Sequence, residues 1–527
     1  MRSMYVLGFV MFALLVVSPL YGQEAESPAE KISLREGEGL AGQIKKDEKL
    51  KLTLDRVLQY LLMQNLDIKK AFLEYRASDT DLRKYQALYD TYAYGKGGYA
   101  VVETPPENPM STFQGTETTQ KNYEVGLSRR FNTGTTLQVN LSGLYQNIKG
   151  AGITMPAPIG TINMGGEGYQ SAVMVKLSQE ILKNSFGQND RLNERMIANA
   201  AEMRRRAVKL YLSNLLVQAL VGYWNVAVAE ETLGTTRINL ESTTNIRNLM
   251  GRKLALGLAE REELLDWNGK VLQSKNYFDL TGKAVYDARL AVLRILNLDG
   301  KTDFELGQTF STRPPDIPLD RAMSDALLKR VDLANQRTMV QNAELEYRAA
   351  AHNELPSLKL ILGAGTVDYN RDSYGKTFND VNRQYSAGFE VAYPLGNSEA
   401  DSRMRNARVS YQKAALDLEK LEKEVRDEVD SAVRQCAVLY QVYVQTKEAR
   451  EYQMNYYNGV LRKFGQGRYS AIQLKLALDG YIQARQAELK SLVDYNVSLL
   501  QRDLARNVIF ENYGIDLDSV LGRMKNR

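Results

Sequence analysis

The sequence contains a single histidine, His352, and a single cysteine, Cys436. Nucleophilic sites that pair His with Ser or Cys, and metal sites built from His and Cys, need more of these residues than one of each. The stretch most like a phosphate-binding loop, residues 95–98, falls in a predicted strand. We therefore predict that the protein is not an enzyme and binds neither a cofactor nor a metal. A single cysteine also excludes an intramolecular disulfide.

Long hydrophobic runs are also scarce. Arg2 precedes an apolar run at residues 5–17, and small residues follow as far as Gly22. A basic start, a short apolar core and small residues before a cut describe a secretory signal peptide, here residues 1–22. The run of about 13 residues is shorter than the roughly 20 that span a bilayer, and the alternative is a buried N-terminal helix. No later stretch is expected to be apolar enough to span a bilayer as a helix.

Neither sign of charge dominates the chain. Its 527 residues include 68 Lys and Arg and 63 Asp and Glu, and this balance argues against nucleic acid as a partner. Tryptophan is rare, with two residues, whereas tyrosine is abundant, with 31. Tyrosine is favoured at bilayer–water interfaces. An exported chain without a spanning helix can still be a membrane protein if its strands close into a barrel.

The chain is internally duplicated. Residues 52–56 and 317–321 begin two similar successions of a helix, a Tyr- and Gly-rich strand region and long helices. The two starts align at an offset of 265, whereas residues 252–257 and 462–467 align at an offset of 210. The first copy therefore carries about 55 extra residues, which we assign to its strand region. Repeats of this kind determine the architecture.

The duplication predicts the organisation of the chain. A polar segment at 23–50 follows the signal peptide, a linker at 299–316 separates the repeats, and a tail covers 512–527. The first repeat, 51–298, is predicted to contain a helix at 51–90, strands at 91–182 and a helical hairpin at 187–298 with its tip near 251–263. The second repeat, 317–511, is predicted to contain a helix at 317–354, strands at 357–395 and a helical hairpin at 398–511 with its tip near 462–473.

Apolar and polar residues alternate with a period of two in the strand regions. The first repeat gives four strands, at about 92–102, 122–131, 135–145 and 169–179. Strands of 9–11 residues with one polar face and tyrosines near their ends suit a barrel that faces lipid outside and water inside. A soluble sandwich would give the same alternation. The signal peptide and the long helices favour the membrane barrel.

Two helical stretches, at about 191–254 and 401–464, contain no proline. Each would be about 95 Å long at 1.5 Å per residue. Val425, Val429 and Cys436 lie on one heptad stripe of the second stretch, which predicts side-by-side coiled-coil packing and a core position for the cysteine. Further apolar residues widen the stripe, so each helix is expected to contact two neighbours. Helices with neighbours on both sides can close into a tube.

The order of these features resembles the TolC family of outer-membrane efflux and secretion ducts over nearly the whole mature chain. Residues 355–358 (Leu-Pro-Ser-Leu) resemble the family's helix-to-strand junction, and residues 179–182 and 393–396 resemble its strand-to-helix exits. The resemblance implies an α+β membrane protein. It further implies a homotrimer with a β-barrel in the outer membrane and a coiled-coil α-helical barrel in the periplasm. Such a trimer is a passive duct that meets a periplasmic adaptor and an inner-membrane transporter.

The sequence departs from the family in its strand count. Family members usually place two strands per repeat in the barrel, or twelve per trimer, whereas the first repeat here has four. The additional hairpin would either enlarge the barrel to eighteen strands or fold outside a twelve-stranded one. The sequence leaves both alternatives open.

The hairpin tips are the candidate functional sites. Both elbows pair basic residues with a later glycine, and we predict that they dock the adaptor through Arg252, Lys253, Gly257, Arg462, Lys463, Phe464 and Gly467. The family's two entrance aspartates correspond to Gln473 and Leu476, and its gate arginine corresponds to Tyr469. The first elbow is acidic instead, so Glu262, Glu263 and Asp266 are expected to supply the periplasmic gate. The alternative is that these acids only begin a helix, where carboxylates are favoured.

Two other classes of function stay open at this point. One is a secreted or surface coiled-coil structural protein without a barrel, and the other is an outer-membrane porin without a role in efflux. The sequence leaves open both the exported cargo and the class of transporter that supplies the energy.

Overall fold

The structure is a computed structural model that describes residues 50–108, 110–155, 160–307, 310–378 and 382–515. The predicted signal peptide, the polar segment up to residue 49 and the tail from residue 516 lie outside the described residues.

The strands are β1 Leu50–Leu52, β2 Thr91–Glu103, β3 Glu117–Arg130, β4 Thr135–Lys149, β5 Gly152–Met155, β6 Gly160–Asn163, β7 Gly166–Glu180, β8 Phe304–Leu306, β9 Ser357–Asn370 and β10 Asn382–Ala392. The α-helices are α1 Leu54–Gln64, α2 Leu66–Ala77, α3 Thr80–Gln86, α4 Ser111–Gln114, α5 Gln188–Ala255, α6 Arg261–Ile295, α7 Leu319–Lys329, α8 Val331–Asn353, α9 Ser398–Gly465, α10 Ala471–Ala505 and α11 Ile509–Asn512. Single 3-10 turns lie at Ala87–Tyr89, Ser185–Gly187 and Tyr374–Phe378.

The sequence duplication is repeated in the helix lengths. α5 and α9 both have 68 residues, and α6 and α10 both have 35. Each pair begins 210 residues apart. α1 and α7 both have 11 residues and begin 265 residues apart. The additional residues of the first repeat lie between α1 and α5, among strands β2 to β7, as the change of offset predicted.

Six strands form one antiparallel sheet in the order β10–β9–β7–β4–β3–β2. Four of them, β2, β3, β4 and β7, are the strands predicted in the first repeat, and each extends beyond its predicted start or end. β9 and β10 come from the second repeat. The two additional strands of the first repeat therefore belong to the same sheet as the others.

The chain divides into two compact units, and each combines segments of both repeats. One unit, residues 79–200 and 341–413, contains the six-stranded sheet. In the other unit, described at 50–78, 201–307, 310–340 and 414–515, Tyr223 is fully buried in an apolar core with Leu52 and Phe304. The Tyr223 hydroxyl donates to the Leu52 carbonyl oxygen at 2.9 Å and accepts from the Gly307 amide at 3.1 Å, which joins the helix to the short β1–β8 pair.

One described helix is apolar enough to cross a membrane by length and composition. The helical stretch Ser185–Ala255 contains an 18-residue window that meets this test, and half of that window is buried inside the chain. This corrects the expectation that no stretch after the signal peptide would qualify. The apolar window arises because the residues of α5 pack against other helices on more than one side, which enriches them in Leu, Val and Ala.

In the second unit the four long helices pack in the order α6–α5–α10–α9. Arg289 of α6 donates to Glu230 of α5 at 2.8 Å, and Arg485 of α10 donates to Glu231 of α5 at 2.6 Å. Thr446 of α9 and the side chain of Ser491 in α10 are hydrogen-bonded at 2.6 Å. α6 and α9 are therefore the outer helices of this layer.

The heptad stripe predicted on α9 is buried. Val425, Val429 and Cys436 are almost fully buried, and the Cys436 thiol donates to the Ser498 carbonyl oxygen of α10 at 3.2 Å. Burial raises the pKa of this thiol above its ordinary value, which agrees with a packing role. This stripe joins helices of one chain, because Val425 and Val429 also pack against Ala322 and Leu333.

A buried ion pair joins α7 to the end of α10. The Arg506 guanidinium donates to the Asp325 carboxylate, and this bond lowers the pKa of Asp325 below its ordinary value. A carboxyl whose pKa is lower in the folded chain stabilises the fold above its unfolded pKa of about 3.9. That stabilisation is lost as the pH falls through the lower pKa of the folded protein.

We expect Arg506→Met to lower the free energy of unfolding by about 1–3 kcal/mol at pH 7, because Asp325 and Asp503 both lose a hydrogen bond and Asp325 keeps only Lys329, at 3.9 Å. The difference from the wild type should begin to shrink below about pH 4, where Asp325 becomes protonated in the unfolded chain, and should disappear below its lower pKa in the folded protein. Thermal denaturation in detergent at the two pH values measures both effects. Arg403→Met removes the exposed pair with Glu399 and should change stability by less than about 1 kcal/mol. An equal loss in both variants would contradict this account.

Candidate functional site

The first elbow ends α5 with two hydrogen bonds across a left-handed glycine. Gly257 has φ 70°, the Leu258 amide donates to the Lys253 carbonyl oxygen at 2.8 Å, and the Gly257 amide donates to the Leu254 carbonyl oxygen at 2.9 Å. This pattern is a Schellman motif, in which glycine avoids the steric cost that a side chain would bring. The chain can then reverse into α6.

The second elbow repeats this geometry. Gly467 has φ 76°, the Arg468 amide donates to the Lys463 carbonyl oxygen at 2.9 Å, and the Gly467 amide donates to the Phe464 carbonyl oxygen at 3.0 Å. Both elbow glycines thus adopt a left-handed backbone angle that residues with a side chain resist.

The two elbows contact each other. The ammonium group of Lys253 donates to the Phe464 carbonyl oxygen at 3.4 Å and lies 4.0 Å from the centre of the Phe464 ring. Phe464 is buried in an apolar cluster that we call the tip cluster: Ile246, Met250, Trp267, Tyr457, Val460, Phe464, Ala471, Leu474, Ala477 and Leu478. Lys253 and Phe464, both predicted docking residues, therefore hold the two hairpins together.

The remaining predicted docking residues are exposed. Arg252, Arg462, Lys463 and both elbow glycines lie at the surface of this chain. Sequence reasoning missed their apolar neighbours, because exposure cannot be read from residue type: Leu256, Leu258 and Ile472 are also strongly exposed. The tips thus combine positive charge with exposed apolar side chains.

The acidic residues of the first elbow lie at the start of α6. Glu262 and Glu263 occupy its first turn and are exposed, and neither caps the helix, which begins after Glu260. Asp266 forms an ion pair with Lys270, whose ammonium group lies 4.7 Å from the centre of the Trp267 ring. Burial and the nearby charge of Lys475 lower the pKa of Lys270 below its ordinary value. Asp266 is thus partly neutralised, whereas the two glutamates face solvent.

The corresponding residues of the second hairpin have different environments. The Ser470 hydroxyl accepts a hydrogen bond from the backbone amide of Gln473 at 3.3 Å. The side-chain oxygen of Gln473 accepts one from the backbone amide of Ser470 at 2.9 Å. This reciprocal pair is a capping box, which the Ser-x-x-Gln spacing could have predicted. Tyr469 is half-buried with Lys463 5.5 Å from its ring centre, and Leu476 is exposed.

The repeat relates the acidic residues to the second hairpin. α6 and α10 have equal lengths and begin 210 residues apart, so Glu263 and Asp266 occupy the same helical positions as Gln473 and Leu476. Carboxylates that are absent from one hairpin are therefore present at the matching positions of the other. Among the described residues, no group of three or more His, Cys, Asp or Glu is placed to hold a metal ion.

Comparison with known proteins identifies the fold. Residues 322–501 match the family model described as outer membrane efflux protein. The structure is similar to the Campylobacter jejuni CmeC outer membrane channel, with 14% identity, a TM-score of 0.63 and 95% of each chain covered. It is also similar to CusC, with 14% identity, a TM-score of 0.65 and coverage of 93% of this chain and 99% of that one.

The Vibrio cholerae outer membrane protein VceC is another similar structure, with 10% identity, a TM-score of 0.62 and coverage of 86% of this chain and 95% of that one. Comparison with curated protein sequences finds no match. Residues 322–501 thus match the outer membrane efflux protein family, and the chain has the α+β fold of these TolC-like channels.

Proposed function

We propose that the protein is the subunit of a homotrimeric outer-membrane duct, the exit channel of a tripartite efflux or type I secretion system. The six-stranded sheet lies in the outer membrane and the helical hairpins extend into the periplasm. The hairpin tips meet a periplasmic adaptor, and an inner-membrane transporter supplies the energy. The duct itself is passive.

The exposed outer faces of α6 and α9 carry this proposal. Leu265, Leu272, Leu280 and Tyr286 of α6 are strongly exposed, and so are Leu416, Val438, Tyr452 and Tyr456 of α9. Large apolar side chains on a monomer surface mark an interaction site when they form a continuous stripe. The stripe on α9 includes Val438, Val442, Ala449, Tyr452 and Tyr456 at intervals of three, four or seven residues, the spacing of coiled-coil packing.

The repeat indicates what covers these stripes. Ile246 of α5 is buried, with an exposed fraction of 2%, and packs in the tip cluster together with Ile482 of α10. Their equivalents in the other repeat are Tyr456 of α9 and Leu272 of α6, whose exposed fractions are 53% and 64%. α9 of one chain can therefore pack against α6 of the next chain in the same way as α5 packs against α10 inside one chain.

The two alternative functions account for less of the molecule. A coiled-coil structural protein does not require a six-stranded sheet with an apolar face. A porin does not require two hairpins with 68- and 35-residue helices and matching elbows. The proposed duct requires both the six-stranded sheet and the helical hairpins.

Membrane fractionation and photo-crosslinking test the proposal. The protein should enter the outer membrane and migrate as a trimer that boiling dissociates. A photoreactive residue at Arg252 or Arg462 should label a periplasmic adaptor, whereas one at exposed Asp279, farther along α6, should not. A monomer without membrane association would contradict the proposal. A trimer that labels no adaptor from either elbow would point to a porin instead.

We expect the acidic first elbow to make the periplasmic entrance cation-selective. Three copies of Glu262, Glu263 and Asp266 near the trimer axis would attract cations, as carboxylate rings do in cation channels. The two glutamates contribute most, because the ion pair with Lys270 partly neutralises Asp266. In planar bilayers the wild type should conduct weakly, favour cations and be blocked by multivalent cations from the periplasmic side. The double variant Glu263→Gln, Asp266→Asn should weaken both effects.

Asp279→Asn is the matched control, since it removes one exposed carboxylate from the same helix away from the elbow. It should keep both the selectivity and the block. If the double variant also keeps them, the acids only begin α6, and the gate lies around Tyr469, Gln473 and Leu476.

A further inference from the structure

The six-stranded sheet has two long, unpaired edges. β10, with 11 residues, and β2, with 13, form its two sides. Every residue of β10 is exposed, and twelve of the thirteen residues of β2 are exposed. Backbone groups of an unpaired strand cannot remain unsatisfied in a bilayer, so a sheet that spans one must close on itself or on another chain.

The directions of the edge strands allow closure between copies. All neighbouring strands in the sheet are antiparallel, and the sheet contains six strands. β2 and β10 therefore run in opposite directions. When β2 of one chain lies beside β10 of another, the pair continues the same antiparallel pattern.

The register of the sheet gives its tilt. A line of directly paired residues runs from Ala387 in β10 through Leu362, Leu177, Leu137 and Arg129 to Thr91 in β2. Ala387 lies five residues from the helix-side end of its strand, whereas Thr91 is the first residue of its strand. The register thus shifts by about one residue per strand, or about 3.3 Å for each 4.8 Å of width. This shift corresponds to a tilt of about 35°, within the range of transmembrane barrels.

The additional strands share the apolar face of the sheet. On that face, the row that contains Val139 of β4 continues into Val175 and Ala364 on one side and into Leu127 and Ala93 on the other. The opposite face of the same strands carries residues such as Gln138, Lys176 and Ser128. A hairpin folded outside a barrel would not need to continue the lipid-facing row.

The two edges also differ in side-chain size in the half nearer the helices, whereas farther along β2 carries Tyr99 on the same face. On the apolar face β10 presents Tyr385, Phe389 and Val391, with exposed fractions of 73%, 71% and 67%. β2 presents Ala93 and Gly95, followed by Gly97, on the same face. Large side chains on one strand cover small residues on a neighbour and stabilise strand pairing. If the register shift continues at one residue per strand, Gly95 lies opposite Phe389.

We propose that β2 of each chain pairs with β10 of the next, so that all six strands of three chains close an eighteen-stranded barrel. The inference rests on the proposed trimer. Because barrel diameter grows roughly linearly with strand number, this barrel is about one and a half times as wide as one with twelve strands. A wider exit suits a bulkier cargo.

Disulfide cross-linking tests the strand pairing. In a Cys436→Ala background, cysteine pairs at Ala93 with Val391, Gly95 with Phe389, and Gly97 with Ala387 sample the expected register. At least one pair should give covalent trimers after oxidation that persist on boiling and disappear on reduction. The comparison pair, Val139 with Phe389, should not cross-link, because β4 is the neighbour of β10 only in a twelve-stranded barrel that leaves β2 and β3 outside.

The outcomes separate this inference from the proposed function. Heat-dissociable trimers that cross-link through Val139→Cys and Phe389→Cys would overturn the eighteen-stranded barrel and leave the duct intact. Trimers in which no β2–β10 pair cross-links would also overturn it. Absence of any trimer from the outer membrane would overturn both. A direct strand count by electron cryo-microscopy of the trimer should give eighteen.

Discussion

Leu272→Asp and Tyr456→Asp are each expected to abolish the trimer while leaving a folded monomer. Both side chains are exposed in the single chain, so a carboxylate there remains solvated and costs the monomer little. In the trimer the same positions would be covered by a neighbouring helix, and a charge buried without a partner is strongly destabilising. Native gel electrophoresis and light scattering in detergent measure the trimer, and circular dichroism measures the retained helix.

The repeat supplies a matched control. Ile246→Asp places the same charge at the position equivalent to Tyr456, but inside the chain, and should prevent the tip cluster from forming. Asn455→Asp adds a carboxylate to an exposed position beside Tyr456 and should leave the trimer intact. If Leu272→Asp and Tyr456→Asp both give wild-type trimer yields, the outer helices are not the subunit interface.

Gly187→Ala is expected to reduce assembled protein far more than Gly257→Ala, although both glycines have similar positive φ values of 75° and 70°. The backbone strain of a side chain at this angle is about 1–2 kcal/mol in either case. At Gly187 a Cβ atom would also lie 1.9 Å from the Asn132 carbonyl oxygen, at the exit from β7 into α5. At Gly257 nothing lies within 4 Å of the same atom.

The yield of heat-dissociable trimer and its melting temperature in detergent test the contrast. Gly257→Ala should assemble with a slightly lower melting temperature, since only the strain acts. Gly187→Ala should give little or no trimer, because backbone atoms rather than a flexible side chain have to move. Equal yields of the two variants would show that the exit from β7 tolerates displacement of Asn132.

The sequence predicted the repeated architecture well because repetition is visible in one dimension. The offsets of 265 and 210 correspond to helices of equal length, and period-2 alternation located β2, β3, β4 and β7. The sequence predicted less well which helices pack against each other. Val429 and Cys436 shared a heptad stripe that could have joined chains, yet they pack within one chain. A heptad pattern shows that one face of a helix is covered, but it does not identify the helix that covers it.

The tips illustrate the same limit at single residues. Phe464 is one of the predicted docking residues, which would have to be exposed, but its ring is buried beneath Lys253. Gln473 stood at a position where the resemblance implied a gate, and its side chain caps α10. The capping box is a local pattern that the sequence contains, whereas the burial of Phe464 depends on a hairpin about 200 residues earlier in the chain.

The duplicated hairpins give the proposed ring more symmetry than its three chains. In the order α6–α5–α10–α9, a hairpin of one repeat always follows a hairpin of the other, so three chains present six similar hairpins around one axis. The backbone of the entrance would then have nearly sixfold symmetry, whereas its charge distribution would have only threefold symmetry. Glu263 and Asp266 would alternate with Gln473 and Leu476 around the rim. An adaptor with six similar contact elements could therefore find its angular position from charge alone.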